Sequence, residues 1–181
     1  RAFTLALLQS AARVSGREVL VDASKHPHRL TWLVKSGVAH ALDLRVVQMT
    51  RNGLGDMGSY MKRGQSAARG ALAWRHRNTQ VARAVQRYAP HRTTRLHYEE
   101  LCADPRAAIQ RLCQAVGLPF DPRMLDFRAR TQHQVGGNPM RFSSEREIRL
   151  REGWRQALTP AQRATFKLLA GGVQRSLGYE E

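Results

Sequence analysis

Three short apolar runs along the chain have the length and composition of buried β-strands. They cover residues 18–23 (EVLVDA), 44–50 (LRVVQMT) and 94–101 (TRLHYEEL). Between these runs, apolar residues recur every three or four positions, which is the spacing of one face of a helix. Because strands that alternate with helices form parallel sheets, the pattern predicts an α/β fold, with a parallel sheet flanked by helices, in one domain over residues 1–181.

Residues that favour helix ends bound the helical segments. Pro27 and Pro105 suit the first turn of a helix, and Gly37 and Gly117 are good stop signals. The glycine-rich stretch 51–58 is predicted to be a flexible loop. The predicted helices are 3–14, 27–36, 57–64, 66–89, 105–116, 145–156 and 160–176.

The chain is strongly basic. Its formal net charge is +16, from 30 Lys plus Arg against 14 Asp plus Glu. Such a charge attracts polyanions such as nucleic acid, acidic polysaccharide, anionic membrane or nucleotide phosphate, although arginines at ordinary surface positions give the same total. The charge is spread along the chain and no nucleic-acid-binding motif appears, so specific nucleic-acid binding is not predicted. No run approaches the roughly 18–20 apolar residues of a membrane span.

Two cysteines, Cys102 and Cys113, have neither a zinc spacing nor the pattern of a disulfide framework. We expect both to be small buried apolar side chains. No His/Cys cluster has metal-ligand spacing, so no metal site is predicted. The low cysteine count and the arginine-rich composition favour the cytosol.

Polar residues directly follow each predicted strand, where ligands of parallel α/β sheets bind. The end of the second strand is the most informative. Arg51 lies there, and Ser59 and Arg63 would share one face of a helix over 57–64. A phosphate would fit between the Arg51 guanidinium, the Ser59 hydroxyl and the start of that helix. The alternative interpretation is a surface loop with ordinary arginines.

Residues 51–59 (RNGLGDMGS) resemble the 3′-phosphate-binding motif of sulfotransferases that use 3′-phosphoadenosine-5′-phosphosulfate (PAPS), in which a serine follows a strand-end arginine by eight residues. The resemblance implies that Arg51 and Ser59 bind the 3′-phosphate of the adenosine. Arg63 matches a basic position of the protein-tyrosine branch. The loop has Asn-Gly-Leu where the family usually has Asp-Pro-Arg. Residues 96–105 (LHYEELCADP) resemble the family's YEDL…P segment, which implies that Tyr98 lies beside the adenine.

Residues 21–27 (VDASKHP) are similar to the DSSK-x-P segment of carbohydrate and bacterial sulfotransferases. By that resemblance, Lys25 is the catalytic residue that contacts the bridging oxygen or the transferring sulfuryl group. A fixed ammonium there would stabilise the negative charge that grows on the leaving oxygen.

Residues 133–142 (HQVGGNPMRF) resemble a C-terminal cofactor loop of bacterial and related sulfotransferases. The resemblance implies cofactor contacts from Gly137, Asn138 and Arg141, and it places His133 near the sulfuryl group. The chain's end is also similar to the family's closing segment. Packing roles are expected for Trp32, Trp74, Trp154, Leu158 and Tyr179.

Glu99 and Glu100 offer two carboxylates, but as neighbours on a predicted strand they would point to opposite faces of the sheet. We therefore interpret them as structural residues rather than as a paired acid and base.

The resemblance implies a P-loop-like sulfotransferase fold and an enzyme that moves a sulfuryl group from PAPS to an acceptor hydroxyl or amine without a metal. The acceptor is compatible with a carbohydrate, a peptide, a lipid or a small metabolite. No segment resembles the family's 5′-phosphosulfate loop. We therefore interpret the chain as the C-terminal portion of an incomplete domain that lacks the first strand and this loop, and expect this polypeptide alone to be inactive. The alternatives are a basic nucleic-acid-binding module and a P-loop kinase relative.

Overall fold

The computed structural model describes residues 2–126, 129 and 148–180. The helices in this part of the chain are α1 (Ala2–Ser15), α2 (Pro27–Lys35), α3 (Val38–Ala41), α4 (Gly53–Met61), α5 (Ala67–Tyr88), α6 (Tyr98–Ala103), α7 (Pro105–Val116), α8 (Trp154–Ala157) and α9 (Pro160–Ser176). The strands are β1 (Val46–Thr50) and β2 (Thr93–His97), and a 3₁₀ turn covers Pro122–Leu125.

The two strands form a parallel pair, in register from Val46 opposite Thr93 to Thr50 opposite His97. Helices α4 and α5 connect them, as a parallel pair requires. The predicted class, a parallel α/β sheet flanked by helices, is confirmed. Because the carboxyl ends of both strands lie side by side, the residues that follow them, Arg51 and Tyr98, are brought to one edge of the sheet.

Most helix boundaries follow the capping chemistry of the sequence. Ser66 Oγ accepts a hydrogen bond from the Arg69 amide at the start of α5. Asp104 does the same for α7, which ends at Gly117 with a left-handed φ of 75°. Thr159 and Gln162 form a reciprocal capping box at the start of α9. The predicted helices at 3–14, 27–36, 66–89, 105–116 and 160–176 are confirmed.

The core lies between α4, α5 and α9. Trp74 on α5 and Phe166 on α9 are almost fully buried, with ring centroids 5.5 Å apart. As expected, Trp154 and Leu158 pack into this core, and so does Tyr179 near the end of the chain. The buried members of the cluster are Leu54, Met57, Ala71, Trp74, Trp154, Leu158, Phe166, Ala170, Leu177 and Tyr179.

The prediction of a flexible loop over 51–58 is wrong, because α4 already begins at Gly53. Its glycines permit close packing rather than mobility. A Cβ atom at Gly53 would lie 2.7 Å from Phe166 Cε2, and one at Gly58 would lie 3.1 Å from Trp154 Cβ. The absence of side chains therefore lets α4 approach α8 and α9 closely.

The prediction of a strand over 18–23 is also wrong. Residues 19–26 form no helix or strand, and Val19 and Val21 are exposed. A β-rich run becomes a strand only where another strand lies alongside to pair with its backbone. No strand pairs with this run in the described residues.

Three further predictions need correction. The strand predicted over 94–101 ends at His97, and helix α6 follows. Glu99 and Glu100 occupy the first turn of α6, where negative charge favours a helix. Of the helix predicted over 145–156, only Trp154–Ala157 is helical in the described part.

The expected packing of Trp32 is wrong as well, since α2 buries the neighbouring Leu33 and leaves Trp32 exposed. Cys113 is buried as expected, but Cys102 is only half-buried, and both are free thiols. Helix α3 has no counterpart among the predictions. It follows directly on α2 because Gly37 adopts a left-handed φ of 83°.

No helix in the described ranges is long and apolar enough to cross a membrane.

Candidate functional site

The side chain of Arg51 extends from the carboxyl end of β1. Its guanidinium carbon lies 4.9 Å from the ring centroid of Tyr98, the first residue after β2. This is the distance of a cation–π contact, which favours a guanidinium over an aromatic face. Trp74 Nε1 donates a hydrogen bond to the Arg51 carbonyl oxygen (3.3 Å), so the backbone at this point is fixed as well.

Ser59 lies on α4 and donates a hydrogen bond from its hydroxyl to the Gly55 carbonyl oxygen (3.0 Å). A Cβ atom at Gly55 would lie 3.4 Å from Arg51 Nε and 3.0 Å from Trp154 Nε1. The guanidinium, the hydroxyl and the indole nitrogen therefore converge around Gly55. We call Arg51, Ser59, Tyr98 and Trp154 the Arg51 group.

The sequence predicts a helix start close to Ser59, and this position of the helix start is wrong, since α4 spans Gly53–Met61. Helix α4 begins before Ser59 rather than beside it, and protein groups already accept hydrogen bonds from its first amides. Glu99 accepts from the Asn52 amide, Gln174 from the Gly53 amide and the Asn52 side chain from the Leu54 amide, each at 2.9 Å. An anion near Ser59 would therefore rely on side-chain donors.

Arg63 follows the end of α4 and is exposed. Its Nε donates to the Ser59 carbonyl oxygen (3.3 Å), and its guanidinium carbon lies 5.2 Å from the ring centroid of Tyr60. The Tyr60 ring also has Arg77 near it at 5.5 Å, and Arg77 pairs with Asp56 (2.6 Å). Ser59 and Arg63 are therefore in contact as i and i+4 neighbours. The contact is made by the backbone carbonyl of Ser59 rather than by its hydroxyl.

The phenol of Tyr98 is held in its neutral form. Burial raises its pKa, and so does the neighbouring Cys102 thiol, against the opposing positive charges of Arg51 and Arg151. The Tyr98 hydroxyl donates to the Arg149 carbonyl oxygen (3.2 Å). The segment before α8 therefore lies beside the Arg51 group and brings a second arginine charge to it.

A hydrogen-bonded network lies behind Arg51. The Tyr179 hydroxyl donates to Glu99 Oε2 (3.1 Å), and the Thr50 hydroxyl, also 3.1 Å away, donates to Tyr179. The Tyr179 ring stacks on His97, with centroids 4.8 Å apart. Burial, together with the negative charge of Glu99, raises the pKa of Tyr179 well above its ordinary range despite the Thr50 hydrogen bond. Tyr179 therefore stays a hydrogen-bond donor at any physiological pH.

Lys25 lies apart from the Arg51 group in the described contacts. It is exposed and has a left-handed φ of 60°, in the turn before α2. Asp22 organises this turn by accepting from the Ser24 amide (3.0 Å) and from Arg29 Nε (2.6 Å). No hydrogen bond, ion pair or ring contact in the described residues joins Lys25 to the Arg51 group.

The other predicted cofactor residues, Gly137, Asn138 and Arg141, lie outside the described residues, as does His133. Within residues 2–126, 129 and 148–180, no group of His, Cys, Asp or Glu side chains is arranged to hold a metal.

A sequence model described as the Sulfotransferase family matches residues 2–122, which is more than half of the chain. The chain belongs to the sulfotransferase family. No curated protein matches it.

Two solved sulfotransferase structures share the fold. The sulfotransferase domain of the Synechococcus PCC 7002 olefin synthase is 21% identical, with a TM-score of 0.62 over 76% of this chain and 50% of that one. The sulfotransferase domain from the curacin biosynthetic pathway is 16% identical, with a TM-score of 0.56 over 86% of this chain and 59% of that one. The chain thus spans 50% and 59% of the lengths of these two structures.

Sequence reasoning missed three residues that the structure places at this candidate site. Trp154 was expected only to pack, yet its indole nitrogen faces Gly55. Arg151 gives no signal in an arginine-rich chain. Glu99 was assigned a structural role, but from a strand geometry that does not exist. Two sequence features could have indicated these contacts. They are the glutamate at the start of α6, which binds the junction between β1 and α4, and the glycines of α4, which allow close packing there.

The Asp22–Arg29 pair predicts a pH dependence. Burial raises the pKa of Asp22, but hydrogen bonds from Arg29 and Ser24 outweigh it and lower the pKa below its ordinary value of 3.8. A carboxylate with a lowered folded-state pKa stabilises the fold above pH 3.8 and loses this effect as the pH falls through the folded-state pKa. The destabilisation caused by Asp22→Asn should therefore be constant near neutral pH and shrink in acid. Urea unfolding of both proteins between about pH 6 and pH 2 measures it, and a pH-independent difference would contradict it.

Proposed function

We propose that this sulfotransferase transfers a sulfuryl group from PAPS to an acceptor hydroxyl or amine. The observation that carries the proposal is the convergence of Arg51 Nε and the Ser59 hydroxyl around Gly55, at the carboxyl end of a parallel strand. The missing side chain at Gly55 lets Arg51 Nε and Trp154 Nε1 approach the backbone of α4 closely, at 3.4 Å and 3.0 Å from the position of a Cβ atom. A guanidinium and a hydroxyl placed close together are suited to a phosphate monoester.

Arg51 would bind the 3′-phosphate of the nucleotide through two of its N–H groups, while its cation–π contact with Tyr98 holds the guanidinium plane. Ser59 would rotate its proton from the Gly55 carbonyl towards a phosphate oxygen. The neutral Tyr98 ring would lie beside the adenine. Arg63 would add positive charge, and residues 137–141 would contribute Gly137, Asn138 and Arg141 as further contacts.

Lys25 would act at the sulfuryl end of the cofactor. When bound, PAPS supplies an electrophilic sulfur, and adenosine 3′,5′-bisphosphate leaves with the electrons of the broken S–O bond. The exposed Lys25 ammonium would stabilise the negative charge on that leaving oxygen. The left-handed backbone of Lys25 is uncommon for a residue other than glycine, as is typical of functional turns.

Calorimetry of the full-length protein with three nucleotides tests the proposed phosphate site. Adenosine 3′,5′-bisphosphate should bind at least about 10-fold more tightly than 5′-AMP, because charge-assisted contacts to the 3′-phosphate contribute roughly 1.5–3 kcal/mol. Adenosine 2′,5′-bisphosphate has the same charge in a different position and serves as the matched control, so it should bind no better than 5′-AMP. Equal affinity for all three nucleotides would overturn the proposal.

A further inference from the structure

The chain around Arg51 is held from both sides by side chains of other elements. On one side, the Thr50 hydroxyl donates to Tyr179. On the other side, the Asn52 amide donates to Glu99 Oε1. Since Tyr179 also donates to Glu99 Oε2, both flanks of Arg51 are connected through a single carboxylate.

Glu99 is well placed to hold this junction. It belongs to the first turn of α6, directly after β2, and its carboxylate is half-buried against the start of α4. A negative charge near the amino end of a helix is favourable, and the hydrogen bond to Asn52 also satisfies an amide that the helix itself leaves unpaired. The carboxylate therefore occupies the place where an anionic ligand would otherwise bind α4.

This arrangement has a consequence for where a phosphate can bind. With Glu99 at the helix start, a second anion is repelled from that position. The side-chain donors near Gly55, Arg51 Nε and the Ser59 hydroxyl, remain. The same carboxylate thus keeps Arg51 in place and leaves the Gly55 side as the favourable one for an anion.

We propose that Glu99 is a positioning residue for 3′-phosphate recognition, which acts on Arg51 through the Asn52 amide and through Tyr179. The inference rests on the proposed function, since it concerns the same phosphate. It predicts that removal of the carboxylate changes the preference among nucleotides, rather than lowering affinity for every adenine nucleotide alike.

The test is calorimetry of the full-length protein and its Glu99→Ala and Glu99→Gln variants with adenosine 3′,5′-bisphosphate and with 5′-AMP. Glu99→Ala should weaken binding of the bisphosphate about 10-fold and change 5′-AMP binding little. Glu99→Gln keeps an acceptor for the Asn52 amide and should recover most of the loss. Glu100→Ala is the matched control, because the neighbouring Glu100 is exposed and its carboxylate forms an ion pair with Arg111 (2.5 Å).

A purely structural role of Glu99 would lower the unfolding midpoint and leave the ratio of the two affinities unchanged, which would overturn the inference. If Glu99→Ala does not fold, Tyr179→Phe replaces it, because the ring and its stacking on His97 are kept while the hydroxyl is lost. That variant should reduce the ratio about 3-fold, and an unchanged ratio would again overturn the inference. If the unaltered protein binds adenosine 3′,5′-bisphosphate no more tightly than 5′-AMP, the proposed function is refuted, and the inference with it.

Discussion

Replacement of Arg51 by alanine is expected to weaken the binding of adenosine 3′,5′-bisphosphate about 100-fold, with much less effect on 5′-AMP. The guanidinium is the charged donor of the Arg51 group, and a hydrogen-bonded ion pair with phosphate contributes up to about 3 kcal/mol. Its cation–π contact with Tyr98 means that it does not have to be ordered when the ligand binds. Titration calorimetry of the full-length protein measures both affinities.

Arg45→Ala is the matched control for this prediction. Arg45 lies just before the amino end of β1, whereas Arg51 follows its carboxyl end, and Arg45 pairs with Asp43 (2.9 Å). The variant therefore loses the same charge at the opposite end of the strand. Because the chain carries a net charge of +16, loss of one arginine lowers the general attraction for an anion slightly in both variants. A similar loss of affinity in both would show that Arg51 acts only through overall charge, and would contradict the assigned site.

Gly53→Ala is expected to destabilise the fold by about 3 kcal/mol. The new methyl group would overlap the ring of Phe166 and approach Gln174 Oε1 to 2.9 Å. Both side chains are fully buried, so neither can move away without disturbing the core. Such overpacking usually costs about 1–3 kcal/mol and sometimes more. Urea unfolding of the full-length protein gives the change in the free energy of unfolding.

Gly172→Ala, which also replaces a helical glycine, is expected to have the opposite effect on the free energy of unfolding. Gly172 lies within α9, is exposed, and has no atom within 4 Å of its Cβ position. Alanine in the interior of a helix is more favourable than glycine by about 0.5–1 kcal/mol, so this variant should be slightly more stable than the unaltered protein. If the two substitutions had equal effects, the close contact of α4 with α9 would be refuted.

The fold class was predictable because it depends on local patterns. Apolar runs of strand length separated by helical periodicity led to the parallel α/β interpretation, and capping residues such as Asp104 and Thr159 located helix starts to within a residue or two. The run at 18–23 shows the limit of that reasoning. Its composition suits a strand, but a strand also depends on a neighbouring strand, which composition does not reveal.

The glycine-rich stretch after Arg51 shows a second limit. Glycine permits both a mobile loop and a close helix contact, and the sequence alone does not distinguish them. The contact partner of Gly53 is Phe166, which lies far away along the chain. The contacts of Glu99 were missed for the same reason, since its partners, Asn52 and Tyr179, are distant in sequence and neither spacing nor periodicity relates them.

The hydrogen bonds that secure the chain near Arg51 join segments that the ribosome synthesises at very different times. Gln174 and Tyr179 bind back to Gly53 and Thr50 across 121 and 129 positions. At typical translation speeds these partners are made roughly 6–26 s after the strand they secure. In the nascent chain, the junction around Arg51 therefore lacks these anchoring contacts for that time, and it is complete only after α9 and Tyr179 have been synthesised.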